Sequence, residues 1–142
     1  MAVEIPSGLV YTTAGYHTVA TRSWYTSCEA YSTGSRCMAY IWATQIRRTS
    51  TGYVASQGWV LNNLTYVDTA SAAWDGNPLA HSGTFTSGGR PWKVTCTPDV
   101  TTGPRTCTAS VWSTRITRTL TTAGYVYRNV SGWVLNDVVE LS

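Results

Sequence analysis

Apolar and polar residues alternate along much of this chain with the period of two that is typical of β-strands. The clearest example lies between residues 37 and 46, where Ala39, Ile41 and Ala43 alternate with larger aromatic and polar side chains. Residues 109–116 repeat the pattern. No stretch shows the period of 3.6 that predicts a helix, and only residues 69–74 could form one short helical turn. The sequence therefore predicts an all-β protein.

Further short strands are predicted at residues 18–27 and 83–95, and at 53–55 and 58–61 with their counterparts in the second half of the chain. Each half then contributes about four strands. Eight to ten short antiparallel strands with even spacing are typical of a barrel or a sandwich. We expect two tandem pseudo-symmetric units that form one such module.

An internal duplication underlies this expectation. Residues 37–62 contain C-x-A-x-I-W-A-T-x-I-x-R-T and end in G-W-V-L-N, while residues 107–136 contain C-x-A-x-V-W-S-T-x-I-x-R-T and end in the same five letters. The offset between the copies grows from 70 to 72 to 74, so the second copy carries two small insertions. A residue present in both copies is needed by the unit, and one present once belongs to something asymmetric.

The duplication divides the chain into an N-terminal segment 1–17, a first repeat 18–67, a linker 68–85 and a second repeat 86–142. A lone unit of about 50 residues would be marginally stable without a partner. We therefore expect the two repeats to share one compact module.

The four cysteines lie at matched positions in the two copies, and three pairings are possible in principle. Duplication should preserve a local pattern, which predicts one bridge from Cys28 to Cys37 and one from Cys96 to Cys107. Each bridge would close a hairpin. Four reduced thiols or a zinc site are the alternatives, but the spacing lacks a Cys-x2-Cys pair. Disulfides predict an oxidising, extracellular location.

Composition and charge exclude several classes of protein. Charged residues make up 12% of the chain, and the net charge of +3 comes from nine Arg and one Lys without a basic run, so a nucleic-acid partner is not expected. No run of about 20 apolar residues predicts a membrane span. The opening M-A-V-E-I-P has no signal-peptide pattern, which indicates a mature secreted form with an added Met.

No catalytic motif is present, and the expectation is a protein without enzymatic activity, cofactor or metal. The seven acids and the two histidines are unmatched between the copies, and His17 and His81 are expected at the surface. An enzyme would need a cleft that gathers at least two side chains from a small set: Asp68, Asp75, Asp99, Asp137, His17 and His81.

Aromatic residues and arginines are what the two copies share. The matched pairs are Trp24 and Trp92, Trp42 and Trp112, Tyr53 and Tyr125, Trp59 and Trp133, Arg22 and Arg90, and Arg48 and Arg118. One interpretation makes the aromatic pairs anchors of the core, with the arginines stacked on them or capping strands. The other places some rings on a surface, where they would stack on a ligand.

Unmatched aromatic residues are the better candidates for one specific contact, because the shared fold does not account for them. A surface rich in Tyr and Arg and poor in Lys is typical of an interface. The predicted binding residues are Tyr31, at a hairpin tip, together with Tyr40, Trp74 and Tyr127, and the matched pair Arg48 and Arg118.

The R-x-W-x3-C entry, the repeated C-x-A-x-[IV]-W strand and the G-W-V-L-N ending resemble small uncharacterised secreted proteins of actinobacteria that carry this unit in tandem. That resemblance brings no assigned activity, and it implies a binding role. The G-W-V ending is also similar to bacterial SH3-like repeats, which bind cell-wall peptides. We expect a secreted module that binds a protein, as an adaptor or inhibitor; a cell-surface glycan binder and a small hydrolase are the alternatives.

Overall fold

The structure is a computed structural model that describes residues 3–4 and 9–142. It confirms an all-β protein, in which short 3₁₀ turns include Ser71–Trp74 and Pro78–Ala80. The first of these is the helical turn that the sequence allowed. The strands are β1 Val3–Glu4, β2 Gly15–Val19, β3 Arg22–Tyr31, β4 Gly34–Thr49, β5 Gly52–Thr69, β6 Gly83–Ser87, β7 Arg90–Thr97, β8 Arg105–Thr121 and β9 Gly124–Leu141.

All nine strands belong to one open sheet with the order β1-β2-β3-β4-β5-β9-β8-β7-β6. Neighbours are antiparallel, except that β1 pairs with β2 and β5 pairs with β9 in parallel. The β5–β9 pairing places the last strand of each half at the centre, so the first strands lie at opposite edges and do not meet. The predicted barrel is therefore wrong, and one sheet replaces the two of a sandwich.

Two details of the predicted strands are also wrong. β5 and β9 each run without a break through the connections expected at residues 56–57 and 128–131, because their partner strands continue alongside them. The strands predicted at 18–27 and 83–95 are instead each divided by a tight turn with positive φ, at residues 20–21 and 88–89. The predicted boundaries after residues 17, 67 and 85 fall inside β2, β5 and β6.

Both predicted disulfides are confirmed. Cys28 and Cys37 lie directly opposite each other on β3 and β4, and Cys96 and Cys107 on β7 and β8. The Cα atoms of each bridge are 4.0 Å apart. Each bridge joins an outer strand to a long central strand, so it fixes their register at one point.

A β-bulge interrupts each long hairpin at the same place. Asn62 in β5 and Asn136 in β9 have no partner residue, because the pairing steps from Ala39 to Tyr40 and from Ala109 to Ser110 across them. An extra residue bends and twists a strand pair locally. These two residues end the G-W-V-L-N motif, and the pairing with β3 and β7 continues for two residues beyond each bulge, to Ile41 and Val111.

Beyond Ile41 and Val111, where the pairing with β3 and β7 ends, the β4–β5 and β8–β9 hairpins continue as two-stranded ribbons. We call residues 42–60 arm 1 and residues 112–134 arm 2, and the rest of the protein the base. Neither β3 nor β7 pairs with these residues, and the β5–β9 pairing starts only at Leu64 and Asp137. At about 3.4 Å per residue, the eight paired positions of arm 1 and the ten of arm 2 extend roughly 27 and 34 Å.

The two arms turn by the same device. Thr49 and Thr121 end β4 and β8, and their hydroxyls donate to the carbonyls of Gly52 and Gly124, at 3.2 and 2.7 Å. Both glycines have positive φ, which costs little without a Cβ. The four extra residues of the second copy enter as two in each strand, so every side chain of arm 2 keeps its face.

The core lies entirely in the base, largely under the second half. Its buried members are Tyr66, Trp74, Ala80, Val94, Cys96, Cys107, Ala109, Val139 and Leu141. The linker is held there by Arg105, which is buried and donates to the Ala80 carbonyl through Nε and Nη2, at 3.0 and 2.8 Å. Its Nη1 donates to Ser71 and to the Gly103 carbonyl.

Candidate functional site

The arms hold most of the exposed apolar surface of the molecule. No residue of 42–60 or 112–134 is buried. Of the sixteen large hydrophobic residues that are exposed in the described chain, eleven belong to the arms. Contiguous apolar surface outside a core marks interaction sites. The eleven are Trp42, Tyr53, Val54, Trp59, Trp112, Leu120, Tyr125, Val126, Val130, Trp133 and Val134.

The arms and the rest of the chain also differ in net charge. The arms contain five arginines and no acidic residue, while the other residues contain five basic and seven acidic side chains. The arms therefore carry +5 and the rest of the chain −2. None of the five arm arginines is in an ion pair or donates a side-chain hydrogen bond to another residue in the described part of the chain. They are Arg47, Arg48, Arg115, Arg118 and Arg128.

The matched tryptophans join the two strands of each arm at the end nearest the base. Trp42 faces Trp59 and Trp112 faces Trp133 across the strands, and in each pair the ring centroids are 5.4 Å apart with the planes nearly perpendicular. Edge-to-face aromatic pairs across strands stabilise hairpins. All four rings are 40–44% exposed. The interpretation that these four tryptophans anchor the core is therefore wrong. It is also wrong for Tyr53 and Tyr125, which are exposed. Trp24 and Trp92, the remaining matched aromatic pair, are half-buried.

The exposure of Trp112 sets the expected cost of losing it. We expect Trp112→Ala to lower the free energy of unfolding, measured by urea denaturation, by only about 1 kcal/mol, because no core cavity forms. Hydrogen exchange of the arm 2 amides should nevertheless accelerate. Trp74→Ala is the matched control: Trp74 is 4% exposed, so its loss should cost about 3 kcal/mol or more. Equal costs for the two variants would contradict this assignment.

A groove of about 580 Å³ lies between the arms. Arm 1 contributes the β4 residues 43–48 and Val60, and arm 2 contributes Thr114, Arg115 and Ile116. The rings of Tyr53 and Tyr127 join the two arms, stacked with centroids 4.1 Å apart and planes 9° apart. The two ribbons are therefore in direct contact through this stack.

Three of the six predicted binding residues lie on the arms. Arg48 pairs across the strands with Tyr53 and contributes to the groove. Arg118 pairs with Tyr127, and its guanidinium lies 4.2 Å from the centroid of the Tyr125 ring. The structure thus places Tyr127, Arg48 and Arg118 on the arms, and Tyr127 is already engaged by Tyr53.

Tyr40 belongs to a row of tyrosines on the base. Tyr16, Tyr25 and Tyr40 face one another across β2, β3 and β4, with successive ring centroids 4.7 and 6.3 Å apart. Tyr16 is 49% exposed. The aligned positions of the second half carry Thr84, Lys93 and Ser110 in the same mutual register. The row is therefore a feature of one half alone.

Tyr31 and Trp74 lie at the opposite end of β4 from the arm tips. Tyr31 is 38% exposed beside the β3–β4 turn, as predicted, and packs on Tyr66. Trp74 is buried against Tyr66, with centroids 4.8 Å apart. Its burial argues against the binding role predicted for it, because the ring fills the core and offers no surface.

The two histidines that an enzyme would need each contact a backbone carbonyl. His17 is buried, not exposed as expected, and its Nε2 lies 2.5 Å from the Thr13 carbonyl. His81 is half-buried, and its Nε2 lies 2.6 Å from the Asp75 carbonyl. The described residues contain no group of three or more His, Cys, Asp or Glu that could hold a metal ion. In the same part of the chain, no helix is long and apolar enough to cross a membrane.

Sequence reasoning missed the groove residues Arg47, Arg115, Ile46 and Ile116. Their signal was present, since two stretches of about twenty residues contain arginine and no acid. That signal acquires meaning only once the two stretches are known to project from the sheet together. Comparison of the chain with protein-family models, with curated proteins and with solved structures found no match.

Proposed function

We propose that this chain is a secreted, non-catalytic binding module that engages a protein partner through its two arms. The carrying observation is that the arms bury nothing of their own, yet hold eleven exposed large hydrophobic residues and five arginines that have no ion-pair partner among the described residues. A two-stranded hairpin alone is marginally stable in water. A partner that covers the arms would remove this apolar surface from water and fix both ribbons.

The size and composition of the arms suit a protein partner. A standard protein interface uses about 20–30 residues on each side, and the arms offer 42. Aromatic residues and Arg are enriched in such interfaces, while Lys, Glu and Asp are depleted. The arms have aromatic residues and arginines, and no Lys, Glu or Asp.

Binding to a cell-surface glycan is the second candidate, and the row of Tyr16, Tyr25 and Tyr40 favours it. Flat rings in a row on an exposed sheet can stack on sugar faces while their hydroxyls bind sugar hydroxyls. The row lies on the base, so it could act together with the arms. The small hydrolase has less support: Asp68 and Glu140 line one cavity, but neither histidine is among its lining residues.

We also propose that the two halves of the chain are related by pseudo-twofold symmetry. The two halves share the order of strands, the disulfide position, the bulge and the arm turn, which supports a pseudo-twofold relation about the β5–β9 pair. The two disulfides are consistent with an extracellular protein. We also propose that the protein is secreted and that it is related to the tandem-repeat proteins of actinobacteria.

Photo-crosslinking tests the proposed function. We expect benzoylphenylalanine at Leu120, which is 70% exposed on arm 2, to form an adduct with a secreted protein of the source organism. Val100 is a matched exposed apolar site on the base and should form no such adduct. A double variant, Val126→Ser with Val130→Ser, should weaken the adduct because it removes apolar contact area without changing charge.

Two results would contradict the proposal. One is an adduct that forms equally from Leu120 and Val100, since that indicates nonspecific collision. The other is retention on insoluble cell walls that Tyr40→Ser abolishes and the arm variants leave unchanged, which would establish the glycan candidate instead.

A further inference from the structure

The groove between the arms carries a more specific inference, which rests on the proposed function and names the chemistry of the partner segment. We propose that the groove receives an extended peptide in which acidic side chains alternate with apolar ones.

The groove combines an apolar surface with cationic groups. Ile46, Ile116 and Val60 supply the apolar part, while Arg47, Arg48 and Arg115 supply the charge. An extended chain directs successive side chains to opposite sides. A strand of alternating character can therefore set its apolar side chains on the isoleucines and direct its carboxylates to the arginines.

The arginines are available for such a ligand. None of the three groove arginines has a salt-bridge partner among the described residues, where the one recorded ion pair joins Arg36 to Glu29 on the base. A guanidinium binds a carboxylate through two parallel hydrogen bonds, which adds direction to the attraction of charge. Residues 42–60 and 112–134 contain no acid that could compete for them.

The residues that line the groove favour a peptide over an anionic polysaccharide. Sugars bind on flat aromatic rings, and no aromatic side chain lines this groove. Tyr53 and Tyr127, which join the two arms, stack on each other. A polysaccharide would satisfy the arginines but would leave the isoleucine surface without an apolar partner.

Fluorescence anisotropy with a labelled decapeptide of alternating glutamate and valine tests the proposal on the whole protein. We expect the peptide to bind, and binding to weaken at least fivefold between about 50 and 500 mM salt because exposed charges are screened. Decapeptides of alternating glutamine and valine, and of alternating glutamate and serine, should each bind at least about tenfold more weakly. These two probes separate the charge from the apolar contact.

Matched variants locate the site. Arg47→Gln combined with Arg115→Gln should weaken binding of the glutamate–valine peptide about tenfold or more. Arg22→Gln combined with Arg90→Gln removes the same charge from the base, outside the groove lining, and should change binding less than about threefold. Ile116→Ser should also weaken binding, while Val100→Ser, at an exposed apolar site on the base, should not.

Several outcomes would overturn the proposal. They are no binding of the glutamate–valine peptide, equal binding of polygalacturonate, equal loss in the two double-arginine variants, and self-association through the arms in sedimentation equilibrium. If one of these occurs while Leu120 still crosslinks to a secreted protein, the peptide proposal fails and the proposed function stands. If the crosslink is absent as well, both fail.

Discussion

Replacing Gly34 with Ala is expected to lower the free energy of unfolding by about 4–5 kcal/mol, or to prevent folding. A Cβ at this position would lie 2.0 Å from the Val67 carbonyl oxygen and 2.6 Å from that of Asp68. Both neighbours are backbone atoms, so no side chain can rotate away. The strain falls where β4 begins beside the end of β5, next to the core residue Tyr66.

The matched control is Gly76→Ala, because a Cβ there would meet no atom within 4 Å. Urea unfolding of the oxidised proteins should show a change of less than about 0.5 kcal/mol for Gly76→Ala. A Gly34→Ala variant as stable as this control would show that the backbones of β4 and β5 do not approach as closely as the structure has them.

Asp137→Asn is expected to stabilise the protein at pH 8 by up to about 3 kcal/mol and to leave its stability at pH 4 nearly unchanged. Asp137 is 5% exposed, and burial raises its pKa to about 6 from the ordinary 3.8. A raised pKa favours the protonated folded protein. The contribution is fully present below pH 3.8 and is lost as the pH rises through about 6, where the buried carboxylate ionises.

The other half of the chain already contains this substitution. Asn63 faces Ala39 as Asp137 faces Ala109, and the Asn63 amide donates to the Asn62 side chain at 3.0 Å. Urea unfolding across pH 4–8 should give a flatter stability profile for Asp137→Asn than for the unaltered protein. Asp99→Asn, at an exposed carboxylate, should leave the profile as it is. A profile that is unchanged in Asp137→Asn would exclude Asp137 as the origin of the pH dependence.

The loss of the carboxylate should also be visible at Tyr66. Burial raises the pKa of Tyr66, and the nearby charge of Asp137 raises it further. We therefore expect Asp137→Asn to bring the pKa of the Tyr66 phenol closer to its ordinary value. This readout depends on proximity in the folded core and does not depend on the stability of the arms.

The strands and the disulfides could be predicted from the sequence because their signals are local. Alternation marks a strand within about ten residues, and duplication identifies which cysteines belong together. The joining of the two halves into one open sheet could not be predicted, because it depends on the parallel pairing of residues 64–69 with residues 137–141, about seventy positions away. Nothing in either stretch alone specifies that partner.

Only part of the candidate site could be predicted from the sequence. Arg48 and Arg118 were identified because they are matched between the two copies, and Tyr127 because it is unmatched. All three residues lie on the arms. The sequence left the matched tryptophans open between core and surface, because alternation is the same for a strand with one buried face and for a ribbon with two exposed faces. Trp42 and Trp112 differ from core residues only in what lies beyond their partner strands, and that depends on where β3 and β7 stop pairing.

The two-residue insertions in each strand of arm 2 have a consequence for how such proteins can diversify. Because the arms contain no buried residue, their length is free to change while the folding of the base is conserved. Each added pair of residues per strand moves a tip outward by about 7 Å and preserves the face of every other side chain. Selection can therefore adjust the reach of the molecule in fixed increments, separately for each arm, and change what it recognises at no risk to its core.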